Sequence, residues 1–310
     1  MNQKKFHGIC LLVLLILLIL PITAASEQTM ETINTYKVSG ENATTYGPYI
    51  YAGHEYDYTE FSMDGNLSGV LITDSMTGAV VEDENIIRKV SYTNAVLMGF
   101  TMETAEIYKT TAQNYKIIST SNADMADLLA AELKLYTTAD QNKIGSVDKD
   151  FRELSRLYAE LSAIYDEAAV TGTDVAHGNK TYENAELMMS QVNRIEAKLK
   201  EIKPVYEKTA AGMNVYYDVL IEGPYQVNKT QMQTAKTNYN YIVKQELSNF
   251  DYVIKTLENS ANTVKARPDL DVELSKLRIK INDMPGFGFL PAVVIVGLFA
   301  FVLGRKSKKN

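Results

Sequence analysis

The strongest constraint on the fold is a set of apolar residues spaced three and four apart through the second half of the 310-residue chain. This spacing places each series on one face of an α-helix, as in a bundle or coiled coil. Three series follow one another, over 151–168, 185–220 and 243–264. The intervals at 171–178 and 223–227 contain glycine or proline, so we expect turns there. The pattern therefore predicts long helices joined by short connections.

The second and third series predict a hairpin of long helices. Helices over 182–220 and 229–265 would be about 58 and about 55 Å long at 1.5 Å per residue. Matched lengths and a short connection favour antiparallel packing, and Pro204 is expected to kink the first of the two. Weaker patterns predict further helices over 103–118, 122–136 and 271–281. The predicted fold is mainly α, an elongated antiparallel helical bundle or coiled coil of three or four helices.

A short region before the helices has the alternation and turn residues of β-structure. The segment 46–51 is β-prone, and β-branched runs at 69–73 and 79–81 flank a turn over 74–78, which is typical of a hairpin. A small β-hairpin segment cannot form a large core alone, so we expect it to pack on the helices. The predicted organisation is a signal peptide (1–25), a β segment (26–90), a helical bundle (91–283) and a C-terminal anchor region (284–310).

The N-terminus has the three parts of a secretory signal peptide. Two lysines precede an apolar run over 9–20, and small residues follow it, so we expect cleavage between Ala25 and Ser26. The alternative is a retained N-terminal anchor helix, although the run is short for a bilayer. Cleavage would remove Cys10, the single cysteine, and leave a mature protein without disulfides.

The C-terminus has the features of a membrane anchor. Residues 287–303 carry no charge, and four basic residues follow them at the end of the chain. A stretch of this length is marginal for a bilayer and needs little tilt. The basic tail should stay on the cytoplasmic side, which would place the bulk of the chain on the extracellular face of the membrane.

The residues that enter this span carry a sorting motif. Pro285, Gly286 and Phe287, the apolar run and the basic cluster follow in an order that resembles the PGF-CTERM (Pro-Gly-Phe) signal of archaeal surface proteins. In that family a membrane-embedded archaeosortase reads the tripeptide, removes the helix and leaves the protein joined to a membrane lipid. The resemblance covers only the C-terminal segment, and it implies an archaeosortase-like enzyme as a partner. The alternative is an ordinary single-pass membrane protein.

The segment between the two signals has the charge of an exported protein and argues against nucleic acid as a partner. The whole chain has 38 acidic and 31 basic residues, for a net charge of −7. Both terminal signals contain basic residues only, so the segment between them keeps 25 basic against 38 acidic residues, for a net charge of −13. Such a surface repels anionic polymers. Four Asn-x-Ser/Thr sequons in predicted loops or at element boundaries predict glycosylation of at least two of their asparagines: Asn42, Asn66, Asn179 and Asn228.

No combination of residues predicts catalysis or metal binding. His54 and His177 lie in predicted loops, without the helical i, i+4 partner of a zinc site. The acidic run at 82–84 lacks the spaced ligands of a calcium loop, so we expect it to be a solvated face. The sequence contains no phosphate-binding glycine loop and no nucleophile elbow. We therefore expect no enzyme activity, no cofactor and no metal.

One cluster of aromatic residues is a candidate binding patch. Five tyrosines lie close together beside two acidic residues and a histidine: Tyr46, Tyr49, Tyr51, Tyr56 and Tyr58. Tyrosine offers an apolar face and a polar tip, which suits a sugar or a protein surface. The alternative is that these are ordinary strand residues that cover the helices, in line with the β-propensity of aromatic side chains.

These features predict an exported, non-enzymatic cell-surface protein. It would be anchored at its C-terminus to the membrane or to a lipid, with a structural or adhesive role in the cell envelope and with envelope proteins or glycans as partners. The helix seams are rich in Tyr, Thr, Ala and Met, which pack less uniquely than Leu and Ile, and this favours pairing with a second copy through the helices. The alternative is an extracellular sensory or ligand-binding helical domain that acts with a membrane partner.

Overall fold

A computed structural model describes residues 34–38, 41–63 and 66–282 of the chain. Its strands are β1 (Asn34–Val38), β2 (Glu41–Tyr51), β3 (His54–Met63) and β4 (Asn66–Asp74). Its helices are α1 (Glu84–Leu97), α2 (Met102–Leu133), α3 (Thr138–Ile144), α4 (Val147–Ala176), α5 (Tyr182–Glu222) and α6 (Lys229–Asn282). The prediction of a mainly helical fold with a small N-terminal β segment is confirmed. The predicted signal peptide, its cleavage site, the sorting motif and the C-terminal span lie outside the described residues.

The described chain divides into two compact units. The bundle unit comprises Phe100–Gly178 and Leu187–Asn262, and the sheet unit comprises the described parts of Thr29–Gly99, Asn179–Glu186 and Thr263–Asn310. The boundary expected at residue 90 falls inside α1, all of which belongs to the sheet unit. Within the residues described, no helix is both long enough and apolar enough to cross a membrane.

Neighbouring helices of the bundle unit run antiparallel. The Ser119 hydroxyl of α2 donates to the Ser155 carbonyl of α4 at 2.7 Å, and the Ser162 hydroxyl of α4 donates to the Ala112 carbonyl at 2.8 Å. As the residue number falls on α2 it rises on α4, so the two helices point in opposite directions. The same reversal relates α5 to α6, through the pairs Asn214–Asn240 and Lys203–Asp251.

The core of the bundle unit is built from the predicted seams. Each fully buried leucine or isoleucine contributes about 1.5–3 kcal/mol to folding by leaving water, and α4 and α5 supply several. Aromatic rings fill the space toward α2, where Tyr115 stacks on Tyr158 and Tyr165 at centroid distances of 5.8 and 5.5 Å. The seam residues that are buried together are Leu154, Tyr158, Leu161, Ile195, Leu199, Ile202, Met213, Val243 and Phe250.

Three helices are longer than the sequence predicted. α2 is continuous where two helices were expected, because the buried Asn122 satisfies its amide within the helix by donating to the Ile118 carbonyl at 2.8 Å. α4 continues past the turn expected at 171. Its Gly172 lies where a Cβ would collide with the ring of Phe100, so this glycine serves close packing rather than a turn. α6 likewise runs through Pro268 and joins the two helices expected at 229–265 and 271–281.

The sheet unit contains an antiparallel sheet in the order β1-β2-β3-β4. β2 and β3 form a tight hairpin in which Tyr51 pairs with His54 across Ala52 and Gly53. Both turn residues have positive φ, 50° and 80°, as the right-handed strand twist favours in two-residue hairpin turns. α1 and the C-terminal part of α6 cover the sheet, and the buried residues are Tyr46, Tyr49, Tyr56, Tyr58, Val70, Ile72, Ile87, Val90, Val272 and Leu274.

The hairpin expected after β4 forms only in part. The turn is present, with Gly78 N donating to the Asp74 carbonyl at 2.8 Å. The second arm is a single bridge between Thr73 and Val80 rather than a strand. β4 instead forms its long ladder with β3, which the sequence analysis did not predict.

Candidate functional site

The structure corrects the prediction of a tyrosine binding patch on β2 and β3. Four of its five tyrosines are buried, and only Tyr51 is half-exposed. Tyr49 donates to Asn94 Oδ1 of α1 at 2.7 Å, and Tyr58 donates to Asp271 Oδ2 of α6 at 2.8 Å. Buried rings whose hydroxyls already have partners cannot form a surface for an external ligand. The alternative of strand tyrosines that pack under the helices describes these four.

A buried ionic cluster holds β3 against α6. The fully buried Asp271 accepts hydrogen bonds from Tyr58 Oη at 2.8 Å and from Arg267 Nε at 2.7 Å. The Arg267 guanidinium also donates to Tyr58 Oη at 2.7 Å and to Glu60. Burial raises the pKa of Asp271, and Arg267 and Tyr58 counteract part of that increase. Since these groups bond to one another, the cluster stabilises the sheet unit rather than forming a binding site.

The remaining tyrosine, Tyr51, belongs to a partly exposed group that the sequence analysis missed. Its ring meets that of Tyr182 edge-on at 5.7 Å, and the Tyr92 ring lies 5.7 Å from Tyr182 on another side. Lys89 Nζ lies 4.0 Å from the centre of the Tyr182 ring, within cation–π range. We call Tyr51, Lys89, Tyr92, Tyr182 and Glu186 the tyrosine cluster.

Three segments of the sheet unit bring the tyrosine cluster together. Lys89 and Tyr92 stand three residues apart on α1, so they share a helix face. The segment before α5 is fixed to β2 because Ile50 N donates to the Lys180 carbonyl at 3.0 Å. Thr181 then begins α5 by accepting from Asn184 N at 3.0 Å, as an N-cap does. Tyr182 therefore enters the helix next to the end of β2, where Tyr51 lies.

A chain of hydrogen bonds gives the tyrosine cluster a fixed polarity. Lys89 Nζ donates to Tyr182 Oη at 2.6 Å, and Tyr182 Oη donates to Glu186 Oε1 at 2.6 Å. The bond to Tyr182 raises the pKa of Lys89, while burial raises the pKa of Tyr182. The lysine thus stays charged and the tyrosine neutral near pH 7. Half-exposed rings beside a fixed ammonium and carboxylate suit the recognition of a ligand with apolar and hydroxyl faces.

The sequons and histidines lie at the surface. All four sequon asparagines are exposed: Asn42, Asn66, Asn179 and Asn228. Asn228 also caps α6, where its Oδ1 accepts from Gln231 N at 3.1 Å, and this leaves the amide nitrogen available for a glycan. His54 and His177 are exposed at the start of β3 and the end of α4. Searching the described residues for groups of three or more potential metal ligands yields none.

The acidic run at 82–84 serves α1. Asp83 caps the helix, accepting from Asn85 N at 2.8 Å and from Ile86 N at 3.3 Å. Glu84 pairs with Lys276 of α6 at 2.7 Å, and this pairing holds the pKa of Glu84 below its usual range. The run is solvated, and its acceptors are used in capping and pairing.

Buried polar side chains with unpartnered atoms lie inside the bundle unit. Glu246 of α6 is 7% exposed, and its Oε2 has no hydrogen-bonding partner among the described residues. The buried hydroxyl of Tyr206 on α5 likewise lacks a partner there. Burial raises the pKa of Glu246 to about 7. Burial, and to a lesser degree this carboxyl, also raises the pKa of Tyr206 and Tyr158.

The tyrosine cluster could not be found from sequence spacing. Lys89 and Tyr92 on α1, and likewise Tyr182 and Glu186 on α5, follow helical spacing, but such pairs are common on any helix. Nothing in the sequence links residue 182 to residue 51. The residues it joins come from β2, α1 and α5 and meet only through the packing of the sheet unit. No family model, curated protein or solved structure matches this chain.

Proposed function

We propose that this chain is an exported cell-surface protein, anchored at its C-terminus to the membrane or to a membrane lipid, with a structural or adhesive role in the envelope. The adhesive part rests on one observation: the tyrosine cluster presents half-exposed rings around a hydrogen-bonded Lys–Tyr–Glu chain. The proposed role is binding rather than catalysis, because the cluster pairs no activated nucleophile with a base. The predicted signal peptide, the resemblance of the C-terminal segment to a sorting motif and the exposed sequons support the proposed location.

Envelope glycans are the proposed occupants of the tyrosine cluster. A sugar ring has an apolar face that packs on tyrosine and hydroxyls that need donors and acceptors. Lys89 supplies donors and Glu186 supplies acceptors beside the Tyr182 ring. Asn85 adds an amide beside Tyr51, with Nδ2 3.4 Å from Tyr51 Oη. A protein surface is the other outcome that the test below distinguishes.

The test measures binding of the detergent-extracted full-length chain to polysaccharide isolated from the cell envelope. Tyr182→Ala removes the central ring and both of its hydrogen bonds, so affinity should fall at least about tenfold, as for a central interface aromatic. Leu135→Ala is the control, since Leu135 is a similarly exposed large apolar residue of the bundle unit. Equal affinity of the Tyr182→Ala variant and the wild type would rule out the cluster. Tyr182-dependent retention of envelope proteins, without polysaccharide binding, would instead identify a protein partner.

Anchoring is tested separately by mass spectrometry of the membrane-extracted protein. If an archaeosortase-like enzyme acts on the chain, peptides from 289–310 should be missing from the mature form. Recovery of those peptides in the membrane fraction would contradict processing and leave a single-pass anchor. Recovery of the chain from the cytosol would contradict export altogether.

A second candidate function is an extracellular ligand-binding helical domain, and one observation favours it. Glu246 and Tyr206 are buried polar groups without partners inside the bundle unit, and such groups favour a small polar ligand. Primary amines, which would pair with the carboxylate, should then raise the melting temperature of the wild type but not of Glu246→Gln. No increase with any amine, or an equal increase in both proteins, would count against this candidate.

A further inference from the structure

A buried carboxyl group lies at the C-terminal end of α2. Glu132 stands in the last turn of that helix and is 7% exposed. Its Oε1 accepts a hydrogen bond from the Tyr136 hydroxyl at 2.9 Å, but its Oε2 has no partner among the described residues. Buried carboxylates are ordinarily paired with a cation, because an unpaired charge is costly to remove from water. Glu132 therefore offers a buried acceptor that the described chain does not use.

The position of Glu132 in α2 also favours a cation beside it. The carbonyl groups in the last turn of a helix carry partial negative charge, which favours a positive group there and disfavours a negative one. The last turn of α2 contains no basic residue. By contrast, the Asp150 carboxylate of α4, which is 13% exposed, pairs with Lys208 at 2.7 Å. The helix end and the Glu132 carboxyl group thus add their negative charge at one place without a basic residue in that turn.

Three tyrosines lie in contact with one another beside this carboxyl group. The Tyr136 and Tyr216 rings are buried with their centres 6.2 Å apart, and their hydroxyl oxygens are 3.5 Å apart. The Tyr225 ring meets the Tyr136 ring edge-on at 4.7 Å and is only half-buried. The faces of aromatic rings attract cations, and rings grouped in this way are typical walls of sites for methylated ammonium ions.

Tyr225 lies on the connection 223–228, which joins α5 to α6 and belongs to neither helix. Gly223 has no room for a side chain, because a Cβ there would lie 2.5 Å from a backbone oxygen of α5 and 2.7 Å from the Tyr225 ring. This glycine lets the ring fold back over the end of α5. At its other end the Tyr225 hydroxyl donates to Asp140 Oδ2 of α3 at 2.5 Å. Tyr225 is therefore placed as a lid on Tyr136.

We propose that Glu132, Tyr136 and Tyr216 form a binding site for a small organic ammonium ion, with Tyr225 as its lid. The Glu132 carboxylate supplies the opposite charge, and the tyrosine rings supply faces for the apolar groups around the nitrogen. Entry requires Tyr225 to swing away from Asp140, since the closed lid covers the Tyr136 ring. The site lies in the bundle unit and does not depend on the tyrosine cluster.

The chemistry of the site selects an ammonium ion over a metal ion. Calcium and magnesium need about six oxygen ligands, and no group of three potential metal-ligating side chains occurs within the described ranges. A methylated ammonium ion instead carries its charge on an apolar surface, so one carboxylate and several ring faces satisfy it.

The test is isothermal titration calorimetry of the full-length chain, in an uncharged detergent, with tetramethylammonium chloride at constant ionic strength. The wild type should bind the ion with a Kd of about 1 mM or below. Glu132→Gln replaces the carboxylate with a neutral group of the same shape, so affinity should fall at least about tenfold. Glu246→Gln is the matched control, because it removes another buried carboxyl group of the bundle unit and should bind like the wild type. tert-Butanol, a neutral molecule of similar shape, should not bind.

Hydrogen exchange of the wild type supplies a measurement that needs no variant. Tetramethylammonium should slow amide exchange at the end of α2 and in the connection 223–228, where the lid closes on the ion, and leave the sheet unit unchanged. Circular dichroism checks that Glu132→Gln and Glu246→Gln keep their helix content. The proposal would be overturned by a wild type that does not bind the ion, by equal affinity of Glu132→Gln and wild type, by loss of binding in Glu246→Gln alone, or by unchanged exchange in both segments.

Discussion

The sheet unit and the bundle unit treat a buried carboxyl group in opposite ways. In the sheet unit, Asp271 is fully buried but receives Arg267 Nε at 2.7 Å and Tyr58 Oη at 2.8 Å. In the bundle unit, Glu246 is 7% exposed, and its Oε2 lacks a partner among the described residues. Burial raises the pKa of both groups, but only Asp271 has a cation that favours its charged form. The first site holds an ion pair, and the second favours a neutral acid.

The tyrosine hydroxyls repeat this contrast. Tyr49 of the sheet unit donates to Asn94 Oδ1 at 2.7 Å, and both side chains are buried. Tyr206 of the bundle unit is also buried, yet its hydroxyl has no partner within the described chain. At these positions the sheet unit pairs its buried polar groups, whereas the bundle unit buries Glu246 Oε2 and the Tyr206 hydroxyl without a partner among the described residues. Substitutions of the buried polar groups in each unit should reveal this difference in stability measurements.

The largest expected effect comes from removing the cation of the sheet unit. Arg267→Met leaves the Asp271 carboxylate buried without its charged partner, and breaking a buried pair in this way costs about 3–5 kcal/mol. Denaturant unfolding of the full chain should show this loss. Hydrogen exchange should place it in β2, β3 and β4. Arg267→Met combined with Asp271→Asn should recover part of the stability, because the unpaired charge is gone.

The bundle unit offers the matched control for that substitution. Arg194 pairs with Glu167 on the surface, where both side chains are about half-exposed. Arg194→Met should cost less than about 1 kcal/mol, as is usual for solvent-exposed pairs. Similar losses for Arg194→Met and Arg267→Met would show that burial of Asp271 does not control the stability of the sheet unit.

The next effect is the pH dependence that Glu246 gives the bundle unit. Its folded-state pKa is about 7 against an ordinary value of 4.5, so the folded state keeps its proton over a range in which the unfolded state has lost it. The free energy of unfolding should therefore fall as pH rises from about 4.5 to about 7 and then level off. Glu246→Gln should remove this decline and stabilise the protein by about 2 kcal/mol at pH 8.

The measurement for Glu246 is urea unfolding of the wild type and of Glu246→Gln, recorded at the same series of pH values from pH 4 to 9. Taking the difference between the two proteins cancels the titration of groups common to both. A constant difference at every pH would mean that Glu246 ionises normally, which would remove the contrast with Asp271.

The helical part of this architecture was predictable because apolar periodicity survives in the sequence. Leu154 and Leu161 of α4 follow the expected spacing and are buried. The continuity of α2 and α6 was not predictable, since Asn122 and Pro268 are ordinarily signals against a helix interior. Their surroundings override this preference: Asn122 bonds to its own helix, and the residues on either side of Pro268 are held by packing in the sheet unit.

The location of the tyrosine cluster was only partly predictable. Alternation along β3 places Tyr56 and Tyr58 on one face, but it does not reveal that helices cover that face. Tyr51 remained in the candidate site, while Tyr92 and Tyr182 joined it through a contact between residues 50 and 180. Such a contact depends on how distant segments pack and leaves no periodic signal in either of them.

Loss of a single hydroxyl should have a smaller but measurable effect in the sheet unit. Tyr49→Phe removes the hydrogen bond to Asn94 and leaves a buried amide oxygen without this donor, which costs about 1–2 kcal/mol. The variant should unfold at a lower urea concentration with an unchanged slope. Asn94→Ala should not add its full effect to that of Tyr49→Phe, since the two residues share one interaction. Full additivity would mean that the hydroxyl and the amide act independently.

The smallest expected effect is at Tyr206, where the same substitution should be neutral or mildly stabilising. The hydroxyl of Tyr206 is desolvated without a hydrogen bond, so Tyr206→Phe removes a buried polar atom and keeps the ring that lies 5.7 Å from Phe250. The gain should be between zero and about 1 kcal/mol, opposite in sign to the effect of Tyr49→Phe. A loss above about 1 kcal/mol would indicate that the hydroxyl has a bound partner, such as an ordered water molecule. A partner shared with Glu246 would satisfy both of these buried polar groups of the bundle unit. The two units would then no longer differ in how they treat these groups.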